Sequence, residues 1–284
     1  SCAAGQRGSP SSPTGVKCHH GEMNLSTMSY RVADGVAHLR LDRPEGANAM
    51  NVDFSKDIRE VMIAIEHDPT VKSVAVTAEG KVFSAGGDLK EFASLGDELP
   101  AIASGLVTDY HAATYRMNRV PKPFIAGVRG AAGGAGLSFM CAFDLVVAGE
   151  SAKFTVGYTK AAMTPDGTST YFLARHIGLR RAMELTLTNR VLSAQEALDW
   201  GLVNMVVPDE DVDATATSLA ERLAAGASRS IGVAKRLIYE GYESSLEEAG
   251  EREAQEIVKS MATVDGREGI NAFASRREPQ YRGE

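Results

Sequence analysis

Pro123-Phe124-Ile125-Ala126-Gly127-Val128-Arg129-Gly130-Ala131-Ala132-Gly133-Gly134-Ala135-Gly136-Leu137-Ser138-Phe139-Met140-Cys141 runs from one apolar segment, through a glycine- and alanine-rich loop, into another. The first segment reads as a buried strand over 123–128. The loop over 130–136 reads as a tight turn that feeds an apolar helix over 137–141. Beyond it, 144–148 is a further strand. Before it lie a strand over 71–77, the loop Phe83-Ser84-Ala85-Gly86-Gly87-Asp88-Leu89 and a helical stretch over 99–119. Further back, 36–41 alternates as a strand and ends at Asp42-Arg43-Pro44. Ile58, Val61, Met62 and Ile65 form one stripe of a helix over 53–67. Strands that alternate with helices imply βαβ units and a largely parallel sheet, an α/β fold.

From Gly167 onward the pattern is almost wholly helical, over 167–177, 180–188, 194–200, 209–225, 228–240, 244–260 and 264–276, with one short strand over 203–207. The expected organisation is a disordered N-terminal extension over 1–28, an α/β core over 29–208 and a helical C-terminal region over 209–284. Helices that cannot bury their apolar faces alone call for packing on the core or on another subunit.

The 284 residues are 44% apolar and 24% charged, so a sizeable core is expected. A net charge of -7 argues against general nucleic-acid binding, which needs a basic surface. Residues 1–28 are rich in Ser, Gly and Pro and have no apolar stretch of signal-peptide type. No run is long and apolar enough for a membrane helix. Cys2, Cys18 and Cys141 include no CxxC pair, so the reading expects no metal, no disulfide framework and a reducing, cytoplasmic compartment. Cys18, His19 and His20 sit together, but a metal site is not expected on a segment that reads as a flexible extension.

Ser84 to Asp88 and Gly130 to Gly136 are the segments that could carry chemistry. Small residues let a ligand approach the backbone. The second loop also opens a helix, whose first N–H groups have no partner within it. Two N–H groups aimed at one thioester oxygen would stabilise an enolate or a tetrahedral oxyanion. A single loop of this kind is usually only a tight turn, and the GxGxxG order of a dinucleotide loop is absent. Two such loops in sequence shift the balance.

Both loops resemble the oxyanion segments of the crotonase (enoyl-CoA hydratase/isomerase) family. The resemblance runs from about Tyr30 to the C-terminus. It takes in Arg43-Pro44, Asn48-Ala49, Ala85-Gly86-Gly87-Asp88-Leu89, the Gly130 loop and Phe143-Asp144-Leu145-Val146-Val147-Ala148. It continues through Ser193-Ala194-Gln195-Glu196-Ala197-Leu198-Asp199-Trp200-Gly201-Leu202-Val203 and Glu268-Gly269-Ile270-Asn271-Ala272-Phe273. It implies a crotonase-like spiral of ββα units with a helical trimerisation region, hence a homotrimer or a dimer of trimers. It further implies an acyl-CoA substrate, with coenzyme A entering as part of that substrate and no separate cofactor. Ala85 and Ala135 would carry the oxyanion N–H groups. Arg43, after the first strand, is a candidate cation for the CoA phosphates, and Ala49, Gly86, Gly87, Asp88, Leu89 and Gly134 would contact the CoA moiety. Phe273 and Arg276 would pack and bind the nucleotide end for a neighbouring subunit.

Hydratases of the family use two glutamates. In this register they fall on Ser138 and Tyr158, neither of which can do acid–base work as a carboxylate near pH 7. The acid in the neighbourhood is Asp166, in Met163-Thr164-Pro165-Asp166-Gly167. Read alone, Asp166 is a helix N-cap. Read by resemblance, Pro-Asp here is similar to the ring-epoxide and enoyl-CoA isomerases and to the nucleophile of 4-chlorobenzoyl-CoA dehalogenase. Arg180-Arg181-Ala182-Met183-Glu184-Leu185-Thr186-Leu187-Thr188-Asn189-Arg190 and His111 strengthen the dehalogenase comparison, while Tyr158 stands where that enzyme has Trp. The favoured reading is an isomerase with Asp166 as acid/base. Its rivals are a hydrolytic enzyme, with Asp166 as nucleophile and His111 activating water, and a non-catalytic acyl-CoA-binding paralogue.

Overall fold

The computed structural model describes residues 23–283. Cys2, Cys18, His19 and His20 therefore lie outside the described residues. Packed structure begins a little before residue 29. The Asp57 carboxylate accepts the Ser26 and Thr27 N–H groups at 2.9 and 2.8 Å and the Thr27 hydroxyl at 2.8 Å.

The first unit is β1 (Met28–Ala33), β2 (Val36–Leu41), α1 (Val52–His67) and β3 (Ser73–Ala78). Then come α2 (Leu89–Ser94), α3 (Leu99–Arg119), β4 (Phe124–Val128), β5 (Ala131–Gly133), α4 (Ala135–Cys141), β6 (Leu145–Gly149) and β7 (Lys153–Thr155). They are followed by α5 (Ser169–Ile177), α6 (Leu179–Thr188), β8 (Leu192–Ser193), α7 (Ala194–Trp200) and β9 (Met205–Val207). Four helices end the chain: α8 (Val212–Ala225), α9 (Ser228–Gly241), α10 (Leu246–Ala262) and α11 (Val264–Ala274).

A six-stranded sheet has the order β1-β2-β3-β4-β6-β9, and a three-stranded sheet the order β5-β7-β8. In the large sheet β1 and β2 are antiparallel and every later pair is parallel, the α/β arrangement read from the strand–helix alternation. The reading did not resolve β1, α2, β5, β7 or β8, most of which are very short.

Alternation along the strands sorts the core into two faces. Leu39, Val74, Val76, Phe124, Ala126, Val146 and Ala148 belong to the main cluster, together with the α1 stripe Ile58, Val61, Met62 and Ile65. Val36, Ala75, Ile125 and Val147 point the other way, onto Ala216, Ala220 and Ala224 of α8. Alanines every fourth residue bring α8 close. A Cβ at Gly127 of β4 would lie 3.2 Å from Val212 and 3.3 Å from Ala216. α1 and α3 pack together on the main face, where Phe54 and Tyr110 meet edge to face with centroids 6.4 Å apart.

The C-terminal helices are tied to the core by a buried cation. The Lys235 ammonium on α9 donates to the Met117 and Lys122 carbonyls at 2.6 and 2.9 Å and pairs with Asp144 at 2.8 Å. Asp144 also accepts the Phe124 N–H at 2.7 Å, so one carboxylate joins β4 to α9. Lys235→Met keeps much of the aliphatic stem and strands Asp144. Breaking one side of a buried pair costs about 3 kcal/mol, so the urea midpoint should fall accordingly. A loss under about 1 kcal/mol, the scale of an exposed pair, would contradict this anchoring role.

Candidate active site

Two loops leave the carboxyl ends of the neighbouring strands β3 and β4, where open parallel sheets bind ligands. They are zipped together. Ser84 N–H donates to Ala131 O at 3.1 Å, and Gly133 N–H donates to Ser84 O at 3.0 Å. The crossing has no room for side chains. Gly86 has φ +103°, and a Cβ there would come within 2.7 Å of Gly133 O. One at Gly136 would lie 2.6 Å from Ser84 O.

Ala135 opens α4, so its N–H has no intrahelical acceptor. Ala85 differs from the expectation. Its N–H is not free but donates to Ala47 O at 3.0 Å, because Ala47 and Asn48 take consecutive left-handed conformations, φ 52° and 50°, that turn that carbonyl toward it. Asn48 holds this turn: its Oδ1 accepts the Arg43 N–H at 2.8 Å, and its amide donates to Glu79 O and Val82 O.

Ser138 and Tyr158, where a hydratase would have its glutamates, hydrogen-bond each other at 3.0 Å. Ser138 is fully buried and Tyr158 is 9% exposed, and burial pushes the Tyr158 phenol up to about 12. The pair is neutral and internally satisfied.

Asp166 is not the side-chain cap of α5. The helix starts at Ser169, after a left-handed Thr168 with φ 66°, and no side chain caps it. The Asp166 carboxylate instead lies 2.6 Å from His111 Nε2, and the Gly167 backbone nitrogen lies 3.3 Å from the same ring nitrogen. Both side chains are about one-third exposed or less, 27% for His111 and 31% for Asp166. His111 is steadied from behind by Tyr115, whose hydroxyl is 3.3 Å from Nδ1. An Nε2–H facing the carboxylate leaves Nδ1 as the acceptor for that hydroxyl. Sequence reading missed Tyr115. The signal available for it is the spacing His111…Tyr115, four residues apart on one helical face. It also missed Tyr110, whose hydroxyl donates to Ala135 O at 3.0 Å and so braces the start of α4.

One cavity of about 690 Å³ gathers Ala85, Gly87, Leu89, Gly134, Ala135, Tyr158 and Asp166 on its lining. His111 reaches it through Asp166. The other expected CoA contacts lie elsewhere. Arg43 is not a free cation: it donates to Ala49 O at 2.8 Å and pairs with Asp88 at 3.2 Å, stitching the first loop to the start of α2. Asp88 also accepts the Glu91 N–H at 3.1 Å as the α2 cap. Phe273 is 71% exposed at the end of α11, and Arg276 lies just beyond it; neither lines the cavity.

The family model for enoyl-CoA hydratase/isomerase matches residues 31–284. Over 250 residues the chain is 34% identical to 4-chlorobenzoyl coenzyme A dehalogenase-2 of an Arthrobacter species, covering 88% of this chain and 91% of that protein. It is likewise 34% identical to 1,2-epoxyphenylacetyl-CoA isomerase of Escherichia coli K12 over 254 residues, 89% of this chain and 97% of the relative. Among solved structures, an enoyl-CoA hydratase from Polaromonas sp. JS666 superposes with a TM-score of 0.85 at 34% identity, over 90% of this chain and 99% of that one. Sequence, fold and loop geometry agree that the chain belongs to the enoyl-CoA hydratase/isomerase family and has its crotonase fold.

Proposed function

We propose that this enzyme isomerises an acyl-CoA, with Asp166 as the acid/base. The supporting observation is the placement of one carboxylate, braced by His111 at 2.6 Å, on the same cavity wall system as the unpaired Ala135 N–H. The thioester oxygen sits at the Ala135 N–H and takes, or shares with Ala47 O, the Ala85 N–H. Asp166 removes a proton alpha or gamma to the carbonyl, and the C–H electron pair moves to the thioester oxygen. The resulting enolate is held by the backbone donors. Asp166 then returns the proton at another carbon. The His111–Tyr115 pair fixes the carboxylate's orientation, which a single unbraced Asp on a glycine-flanked turn would lack.

A second reading keeps the same residues. Asp166 attacks an aryl carbon bearing a leaving group, the leaving group departs with its bonding pair, and His111 activates the water that cleaves the aryl ester. The relative named as a dehalogenase and the direct His111–Asp166 contact favour it. A covalent adduct on Asp166 found by mass spectrometry would select this reading, while turnover without one selects isomerisation. Acyl-CoA binding with no turnover on either class of substrate would leave a binding paralogue.

Asp166→Asn keeps the side-chain shape and, with no helix cap at stake, should alter stability by less than about 1 kcal/mol. Deuterium exchange into the acyl chain should drop roughly 100-fold or more, the scale of losing general acid–base catalysis. Full exchange by this variant would remove Asp166 from the mechanism. Hydration is the second test. With Ser138 and Tyr158 closed on one another, crotonyl-CoA hydration should stay well below the roughly 10 per second typical of enzymes; a faster rate would overturn the isomerase assignment.

The exposed apolar face of the last two helices supports the nucleotide-end reading. Leu246, Ile257, Val258, Met261 and Phe273 on α10 and α11 are all more than half exposed, an apolar surface that fits a subunit interface. The proposed homotrimer, or dimer of trimers, would carry Phe273 and Arg276 to a neighbour's ligand. Light scattering should therefore report a trimer or hexamer, and a stable monomer at micromolar concentration would contradict it.

A further inference from the structure

The cavity wall away from the glycine loops is apolar: Met50 and Phe54 beside α1, Phe92 on α2, and Leu99, Leu106 and Val107 along α3. Its polar side chains are almost all already engaged. The Ser55 hydroxyl donates to Val52 O at 2.8 Å, Tyr110 to Ala135 O at 3.0 Å and Thr155 to Asn189 O at 3.4 Å. Tyr158 is closed on Ser138 at 3.0 Å. Among the described residues Asp166 is the only charged one on the lining, no Lys or Arg is part of it, and His111 stands behind Asp166 at 2.6 Å rather than on the wall.

We infer that the acyl group accepted here is a bulky, uncharged hydrocarbon, an alkyl, alkenyl or aryl group with no carboxylate beyond the thioester. This rests on the acyl-CoA reading above. A second carboxylate would enter an apolar wall with no cation to pair it and would meet Asp166, a like charge. A hydrocarbon meets neither cost and gains from each methylene it buries. The cavity volume, about 690 Å³, lies in the range that encloses a drug-sized ligand, so a short acyl group would leave much of it to water.

The test is calorimetric binding of unreactive thioesters: butyryl-, hexanoyl-, octanoyl-, phenylacetyl- and glutaryl-CoA, with free CoA as reference. Each methylene added from butyryl to octanoyl should tighten binding about fourfold, the equivalent of about 0.8 kcal/mol. Glutaryl-CoA should bind roughly 100-fold more weakly than hexanoyl-CoA, the loss expected for an unpaired charge carried into an apolar site. The ratio of phenylacetyl- to octanoyl-CoA affinity assigns a ring or a chain within the inferred class. Ala103→Trp, which fills the α3 wall, should weaken octanoyl-CoA at least about tenfold and leave butyryl-CoA unchanged, its retained binding reporting an intact fold. Butyryl- and octanoyl-CoA binding alike, or glutaryl-CoA matching hexanoyl-CoA, overturns the inference. No thioester exceeding free CoA would instead overturn the acyl-CoA reading on which it rests.

Discussion

The crossing of two backbones, Gly86 against Gly133 and Gly136 against Ser84, is the constraint on which the site depends. At both crossings a single added carbon would come within 2.7 Å of a carbonyl oxygen. No rotamer choice relieves that, because the obstacle is main chain on both sides. The loops must therefore be nearly bare, and bare loops at the ends of adjacent parallel strands bring N–H groups to one point. The same crossing positions α4, and with it Ser138 and the Ala135 N–H. The short strand β5 follows from it too, since residues 131–133 extend alongside β7 only because Ser84 holds them there.

Away from the crossing, Tyr158 and Asp166 lie on the cavity lining. Ser138 and Tyr158, which the resemblance aligns with the hydratase glutamates, form a buried, neutral hydroxyl pair, so neither offers a carboxylate to deprotonate a water. The one carboxylate of the cavity comes from the turn before α5, and it is braced by α3 rather than by α4. Orienting it thus depends on the packing of α3, which Phe54–Tyr110 and the α1 stripe secure. On the proposed function, the acid/base comes from the turn before α5 and is oriented by α3, the helix that also forms one wall of the cavity. A change on that wall would, on the same reading, also act on the orientation of the carboxylate.

Legibility in the sequence followed distance along the chain. α1 was readable because its stripe Ile58, Val61, Met62 and Ile65 repeats every three to four residues, and the glycine loops because only small residues tolerate such a crossing. Asp166 was legible as a candidate, but its local reading as a cap was wrong: the chain inserts Thr168 in a left-handed turn before the helix begins, which no propensity of Asp-Gly-Thr announces. Arg43 was legible as a cation, yet its partner Asp88 lies 45 residues on, so nothing local told a phosphate ligand from a loop brace. The Ala85 N–H was hidden for the same reason, since the competing Ala47 carbonyl depends on two successive left-handed residues. Two-residue β8 and three-residue β7 carry too few positions to show any period, and exist because the glycine loop offers them an edge.

The engaged Ala85 N–H has a consequence for how substrate polarity is used. A ground-state thioester carbonyl is a weak acceptor and competes poorly with an amide carbonyl already in place. An enolate oxygen bears nearly a full charge and forms much stronger, charge-assisted hydrogen bonds. A donor that is held by Ala47 in the free protein, and yields only to developing charge, contributes little to binding the substrate and more to the transition state. That difference, rather than tight ground-state binding, is what accelerates a reaction. On the proposed mechanism, the Ala135 N–H, with no such competitor within its helix, would anchor the thioester first, and the Ala85 N–H would then respond to the charge that proton removal creates.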